Sequence, residues 1–397
     1  MKHFLLKLKS RLFRNTSKAQ SQPTVSDSII DIYYNSAQYY NQENLIFFPH
    51  INAYGAFKYE VVKDILANNQ DIGVSVVHLA LNNIYFSEKE DQHQHNKKAA
   101  IHHLDFLSKK FQYSDSEYTR KLFNALFSNF PKNQPFELVD YLINPIILIN
   151  VLNEYGFLEV FPEFNPESEH FSFDYALETI KGFFSDTDTL ENLLKTHLDN
   201  GGKIPSKMQV LLDDLQTDVE IDPNLPKYFK SMIFSAVEST TSFLSSLIHV
   251  IYTQYPELIG EKDTHNKLYS IANEVLRIHT PVPFIYRTVR QDTVYEGTPL
   301  KKGDLVILFL GTANMDPAVF EKPDEIIENR KEKNLSFGRG QYGCIGQFAS
   351  FRITLNVMSY LAEYGGGIQF IDTKAKHIIH NSMLKISLSV VFDDSKA

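Results

Sequence analysis

Cys344 is the only cysteine in a chain of 397 residues, and it is the one soft, ionisable ligand the sequence offers. It stands in the run Phe337-Gly338-Arg339-Gly340-Gln341-Tyr342-Gly343-Cys344-Ile345-Gly346. A solitary cysteine is most often an inert buried thiol, and a glycine-rich turn ahead of a helix accounts for this run without any chemistry. The loop composition argues for more. Three glycines within the seven residues before the sulfur permit a tight turn with positive φ angles and close backbone approach, so that amide N–H groups can point at the sulfur. An apolar helical pattern follows at once, and a helix N-terminus favours the thiolate. A stabilised thiolate with one side open meets the requirements of an axial iron ligand.

Two further constellations precede it. Ser235-Ala236-Val237-Glu238-Ser239-Thr240-Thr241 puts a carboxylate beside three hydroxyls in mid-helix, which reads equally as a polar patch. Glu274-Val275-Leu276-Arg277 places an acid and a base at i and i+3 on one helix face, away from the stripe Leu268, Ile271, Ala272 and Val275. The plain alternative there is a surface ion pair worth less than about 1 kcal/mol.

The elements that position these residues are mostly helical. A long helix is predicted over 226–254, opened by Pro226 and closed by Pro256, with Phe229, Ile233, Ala236, Leu244, Leu247 and Ile251 as its apolar stripe. A second is expected over 265–279, N-capped by Thr264 and stopped by Pro281. Residues 284–310 read as short strands turning at Glu296-Gly297 and Lys302-Gly303. A helix after Cys344 ends at Gly365-Gly366-Gly367, and 377–392 reads as a strand pair. Residues 199–206 read as a turn between helices, whereas 131–136 and 162–171 read as loops. The polar block 86–99 leads into a helix bearing Ile101, Leu104 and Leu107. The expected fold is mainly α with a minor β portion, a single large domain over 27–397.

Composition narrows the partners. A net charge of −9 argues against nucleic acid, and one cysteine excludes an intrachain disulfide or a multi-cysteine zinc or iron–sulfur site. No stretch reaches the roughly 18–20 apolar residues that span a bilayer. Residues 1–26 form a basic segment and polar linker: Lys2, Lys7, Lys9, Arg11, Arg14 and Lys18 have no acidic neighbour before Asp27, and Phe4, Leu5, Leu8 and Leu12 recur at helical spacing. That segment reads first as a frayed or packed amphipathic helix, with membrane-surface binding or targeting as the alternative. The expected location is cytoplasmic, without membrane contact.

The pattern Phe-x-x-Gly-x-x-x-Cys-x-Gly, met by Phe337, Gly340, Cys344 and Gly346, resembles the haem-binding signature of cytochromes P450. The Glu274–Arg277 pair, seventy residues before the cysteine, and the acid–alcohol run on the preceding long helix stand in the order that family requires. Residues 281–320 resemble its soluble bacterial members. The likeness extends over most of the chain and is weakest before residue 80 and in 140–200. It implies a cytochrome P450 fold and a non-covalently bound haem b (iron protoporphyrin IX) ligated by Cys344. Glu274 and Arg277 would be buried and would hold the meander before the cysteine loop. The third arginine of that family triad is missing where Pro323-Asp324-Glu325-Ile326 stands, which leaves Arg330 as a substitute or the meander held in another way.

The resemblance assigns roles to other residues as well. Glu238 and Ser239 would be the acid and the alcohol of a proton relay where the helix is locally opened, Ser replacing the usual Thr and Thr240 being the alternative hydroxyl. His93 and Lys97, Arg287 and Tyr342 occupy positions that contact the haem propionates. Lys97 keeps a charge but loses the arginine fork, and Tyr342 replaces a His or Arg with a phenol that donates one hydrogen bond. The His-rich run around His93 lacks a carboxylate or Cys partner at metal spacing. Pocket candidates are Ser235, Ala236, Val282, Pro283, Phe284, Ile285 and Met383.

The implied activity is a haem-thiolate monooxygenase acting on a small organic substrate, apolar or natural-product-like, free or carried on a carrier protein. Electrons would come from NAD(P)H through a ferredoxin or flavodoxin and its reductase, docking on the cysteine side. Peroxide-driven or non-hydroxylating oxidation (coupling, desaturation) on the same fold is the second reading. A non-catalytic protein that recruits another enzyme is the third, and it would not need the thiolate.

Overall fold

The computed structural model describes residues 24–67, 70–74, 94, 97–98, 117–185, 188–214, 225–261, 265–374, 376–380 and 382–393. The basic segment, the helix expected after residue 100, His93 and Thr264 lie outside them. The described residues fall into two compact units, each assembled from three separate stretches of chain, so neither is a contiguous domain.

The first unit draws on residues 1–81, 270–344 and 377–385. Its centre is a five-stranded sheet in the order Ile46–Phe48, Ala53–Ala56, Leu305–Leu308, Ile285–Val289, Ile72–Val74. All neighbours are antiparallel except Ala53–Ala56 with Leu305–Leu308. Alternation along Ile285–Val289 sends Ile285, Arg287 and Val289 to one face and Tyr286 and Thr288 to the other. The first face packs with Val62, Ile65 and Leu66 of the helix Tyr59–Ala67. The second meets an aromatic core of Phe57, Phe284 and Phe309. Glu296-Gly297 turns the hairpin Thr293–Tyr295/Thr298–Leu300, with φ of 45° and 86°.

The helix Val25–Tyr34 starts inside the expected linker. Thr24 accepts from the Asp27 N–H at 3.1 Å, and the Asp27 carboxylate takes the Thr24 N–H at 2.9 Å, a reciprocal cap that fixes the start. The tail also differs from the expected strand pair. Ile378–His380 and Met383–Lys385 form a hairpin in the first unit, whereas Ser389–Phe392 joins Pro135–Glu137 and Ile368–Phe370 in a separate sheet. Local pattern identifies strands but not their partners.

The second unit draws on residues 82–269, 345–376 and 386–397. Its axis is the helix Leu225–Gln254, in which every residue from Thr240 to Ile248 is buried. A helix buried on all sides belongs to a core, and here small hydroxyl side chains share the buried faces with Phe243, Leu244, Leu247 and Ile248. Around it pack Asn144–Glu154, Asp188–Asp199 and Gln347–Tyr364. Phe243 and Phe351 meet edge-on at 5.3 Å, and the Arg352 guanidinium donates to Glu154 at 2.8 Å. The helices Asp188–Asp199 and Ser206–Asp214 flank the expected turn.

Candidate functional site

The cysteine loop is closed by its own backbone. The Gly338 N–H donates to Leu335 O at 2.8 Å, Gly343 N–H to Gly340 O at 3.1 Å and Cys344 N–H to Phe337 O at 2.8 Å. The last two amides therefore bind carbonyls of the loop rather than aiming at the sulfur. Gly340 has φ +66°, and a Cβ there would lie 2.9 Å from Leu66 O and 3.1 Å from Ala67 Cα. Only glycine combines that dihedral with that approach to the end of the Tyr59–Ala67 helix. The Arg339 guanidinium donates to the Tyr59 hydroxyl at 3.3 Å, a second tie to the same helix. Cys344, the last residue of the first unit, carries an exposed thiol.

The meander before the loop is anchored by Glu274. Glu274 is 3% and Arg277 0% exposed, so the pair is buried and the surface alternative fails. Arg277 donates to Glu274 from Nε at 2.8 Å and from Nη2 at 3.0 Å. The same guanidinium donates to the carbonyls of Asn314 (3.1 Å), Pro323 (2.6 Å) and Glu325 (3.0 Å). Arg330 Nε reaches Glu274 Oε2 at 2.9 Å, and the Ile327 N–H reaches the same oxygen at 3.1 Å. Arg330 thus stands third beside Glu274, while the Glu325 side chain turns outward to Lys322 at 3.2 Å. Burial by itself would raise the Glu274 carboxyl; the hydrogen bonds from Arg277, Ile327 and Arg330 outweigh it and hold the group below its ordinary value.

Arg287 is buried, and among the described residues no carboxylate forms an ion pair with it. Its Nη1 donates to the Tyr286 carbonyl at 2.9 Å, while its Nε is buried without a hydrogen bond. Burial pushes its pKa down to about 10, Tyr342 opposing and Arg290 adding to the shift. A buried guanidinium with an orphaned donor demands an anion. That demand, in the same unit as the exposed thiol, suits a cofactor that carries both a metal and carboxylates, and the residues therefore fit a haem. Lys97 is helical and half-buried. Among the described residues no group of three or more His, Cys, Asp and Glu could hold a metal ion, and no helix is long and apolar enough to cross a membrane.

In the second unit, Glu238 is buried and the helix runs unbroken past it. The Ser239 hydroxyl donates to Ser235 O at 2.8 Å, so the expected local opening is replaced by a side-chain bond back into the preceding turn. Thr240 donates to Ser350 Oγ at 3.1 Å and ties the long helix to Gln347–Tyr364. The Gly346 carbonyl accepts from the Ser350 N–H at 2.9 Å at the start of that helix.

The pocket candidates divide. Phe284 is 2% exposed, with rings of Phe309, Tyr286 and Tyr33 at 5.9, 6.1 and 6.4 Å, and is core rather than lining. Pro283 is buried, its carbonyl bound by the Gly311 N–H. Val282, Ile285 and Met383 are half-buried, Ile285 packing against the core beside Leu308, and in the second unit Ala236 is half-buried and Ser235 exposed. Met383 lies on the hairpin face opposite the buried Ile379–Leu384 pair, and the Leu384 N–H holds the hairpin to Pro281 O at 2.9 Å.

Comparisons with known proteins find one family. A family profile described as Cytochrome P450 matches residues 268–376, which include Glu274, Arg287, Arg330 and Cys344. The chain is 28% identical over 243 residues to cytochrome P450 105C1 of a Streptomyces species, covering 58% of this chain and 61% of that one. It is 22% identical over 337 residues to cytochrome P450(BM-1) of Priestia megaterium, covering 77% and 80%. The match thus spans about three-fifths of the first of these relatives and four-fifths of the second. The solved structure of the Tepidiphilus thermophilus P450 heme domain superposes with a TM-score of 0.67 at 16% identity, covering 92% of this chain and 95% of that one. The likeness runs through both units and shows the fold.

Proposed function

This chain belongs to the cytochrome P450 superfamily, and we propose on that premise that it is a haem-thiolate monooxygenase, placing one atom of O2 in a small organic substrate and the other in water. The observation that carries the reading is the conjunction, in one unit, of the glycine-closed loop ending at Cys344 and the buried Arg287, whose Nε has no hydrogen bond among the described residues. Cys344 would ligate the iron of haem b. Arg287 and Tyr342, both in the first unit, would hold its propionates. Bound there, the haem would supply oxygen activation, with the thiolate donating electron density toward the iron.

The chain's own groups would manage the protons. Glu238 is the buried acid. Ser239 would pass a proton by turning its hydroxyl away from Ser235 O, a rotation that serine makes more freely than a β-branched threonine. The half-buried apolar side chains Val282, Ile285 and Met383 support an apolar substrate. Electrons would come from NAD(P)H through a reductase and a ferredoxin or flavodoxin.

The test is the spectrum of the dithionite-reduced protein under carbon monoxide. A strongly red-shifted Soret band is expected from the wild-type chain and not from Cys344→Ser. A folded, haem-loaded wild-type protein without that band would exclude thiolate ligation, and with it this function.

A further inference from the structure

Arg290 follows the strand Ile285–Val289, and its N–H donates to Asp71 O at 2.7 Å. Its side chain crosses the neighbouring strand at Gly73. A Cβ on Gly73 would sit 2.0 Å from Arg290 Nε, 2.4 Å from Cζ and 2.6 Å from Nη2. The guanidinium therefore rests on bare backbone, in a seat that any other residue at 73 would fill. From there Nη2 reaches the Tyr342 hydroxyl at 3.4 Å. Tyr342 closes the turn Gly340–Tyr342, two residues before Cys344.

Arg287 and Arg290 are near enough to influence each other, and both are near Tyr342. Among the described residues no carboxylate forms an ion pair with either. Two neighbouring guanidiniums, one of them buried, repel each other unless an anion lies between or beside them. We propose that Arg290, seated on Gly73, is a further binding residue for the carboxylate that Arg287 takes. In this arrangement Arg290 supplies at Tyr342 the positive charge that position 342 itself lacks. The phenol accepts from Arg290 and donates its own proton to the ligand carboxylate, and a phenol that accepts from a cation is the stronger donor. The proposal rests on the haem reading of this site.

The test measures transfer of haem from the holoprotein to excess apomyoglobin. Arg290→Leu removes the cation, Gly73→Ala removes its seat, and Tyr342→Phe removes the intermediary. All three are expected to lose haem faster, Arg290→Leu by about tenfold, the size expected for one charge-assisted hydrogen bond, with the red-shifted carbon monoxide band retained in the fraction still loaded. The effects of Arg290→Leu and Tyr342→Phe should fall short of additive in the double variant, because the two act on one carboxylate. Haem loss from Arg290→Leu at the wild-type rate overturns the proposal. So does a loss of urea resistance in the haem-free Arg290→Leu protein that comes without faster transfer, since Arg290 would then be merely structural. A wild-type protein lacking the red-shifted band fails the haem-thiolate reading instead, so the two failures are told apart.

Discussion

Arg330→Leu tests the anchor of the meander, because the contacts of Arg330 can be counted. It donates through Nε to Glu274 Oε2 at 2.9 Å, through Nη1 to Glu321 O at 2.9 Å and, at longer range, through Nη2 to Lys322 O at 3.4 Å and Glu325 O at 3.5 Å, and its side chain is buried. Breaking a buried ion pair costs about 3–5 kcal/mol when it strands a charge. Here Arg277 still neutralises Glu274, so the loss should be nearer that of charge-assisted hydrogen bonds, about 2–3 kcal/mol. Glu274→Gln leaves two buried guanidiniums facing a neutral amide and should fall in the upper range, about 3–5 kcal/mol. The assay is urea unfolding followed by circular dichroism, at neutral pH and across an acid series. The Glu274 carboxyl is held below its ordinary value when folded, so its stabilisation is complete above the unfolded value of about 4.3 and disappears as the pH falls through the folded one. The gap between wild type and Arg330→Leu should therefore close in acid and not in base. A variant within about 0.5 kcal/mol of wild type at neutral pH, the scatter of ordinary surface substitutions, would refute Arg330 as a member of the anchor; a gap that persists in full once Glu274 is protonated would refute the electrostatic account.

Gly340→Ala forces a side chain into a left-handed conformation and against the Leu66 carbonyl, and should cost at least about 1–3 kcal/mol. Its carbon monoxide band should weaken with the displaced loop, and a wild-type urea midpoint would contradict this. Arg287→Met should act with opposite signs on the two forms of the protein. The haem-free chain gains urea resistance at neutral pH by losing a buried cation, while haem loss to apomyoglobin speeds up; the same sign in both assays would show that no ligand anion is held there. Ser239→Ala should keep the carbon monoxide band and lower product formed per NAD(P)H consumed, with more peroxide released, and Ser239→Thr should move that ratio upward. Identical coupling in both variants and wild type would remove Ser239 from proton delivery.

Most of the site elements were legible in the sequence because their signals are local. Proline and glycine punctuation placed the long helix, the helix bearing Glu274 and the helix after Cys344 to within a residue or two. The glycine spacing marked the cysteine loop, and Gly340 shows why it had to, with a positive φ and a backbone neighbour in the same place. The legible parts end where a property depends on distant chain. Phe284 follows Val282 in the stretch named for the pocket, yet its ring enters the aromatic core because Phe309 and Tyr33 arrive from elsewhere. The strand Ser389–Phe392 reads as a partner for its sequence neighbours and instead pairs with Ile368–Phe370 and Pro135–Glu137. The start at Val25 is the exception: its capping pair, Thr24 and Asp27, is local but lies inside a polar run whose composition is that of a linker.

Glu274 shows how a family position can lose its residue while the interaction stays. The acceptor is fixed, since Glu274 sits on a buried helix face with Arg277 beside it. What it needs is a second cation, and which residue delivers it depends on the path of the chain over 321–330. In this path the carbonyls of Pro323 and Glu325 turn inward to Arg277, which leaves the Glu325 side chain outside with Lys322. An arginine at 325 would therefore point at water, and the cation arrives five residues later, once the Ile327 N–H has also turned toward Glu274. Residues 323–326 therefore supply no arginine while Glu274 still holds two, Arg277 and Arg330, because a buried carboxylate selects for charge within reach and is indifferent to the number of the residue that carries it.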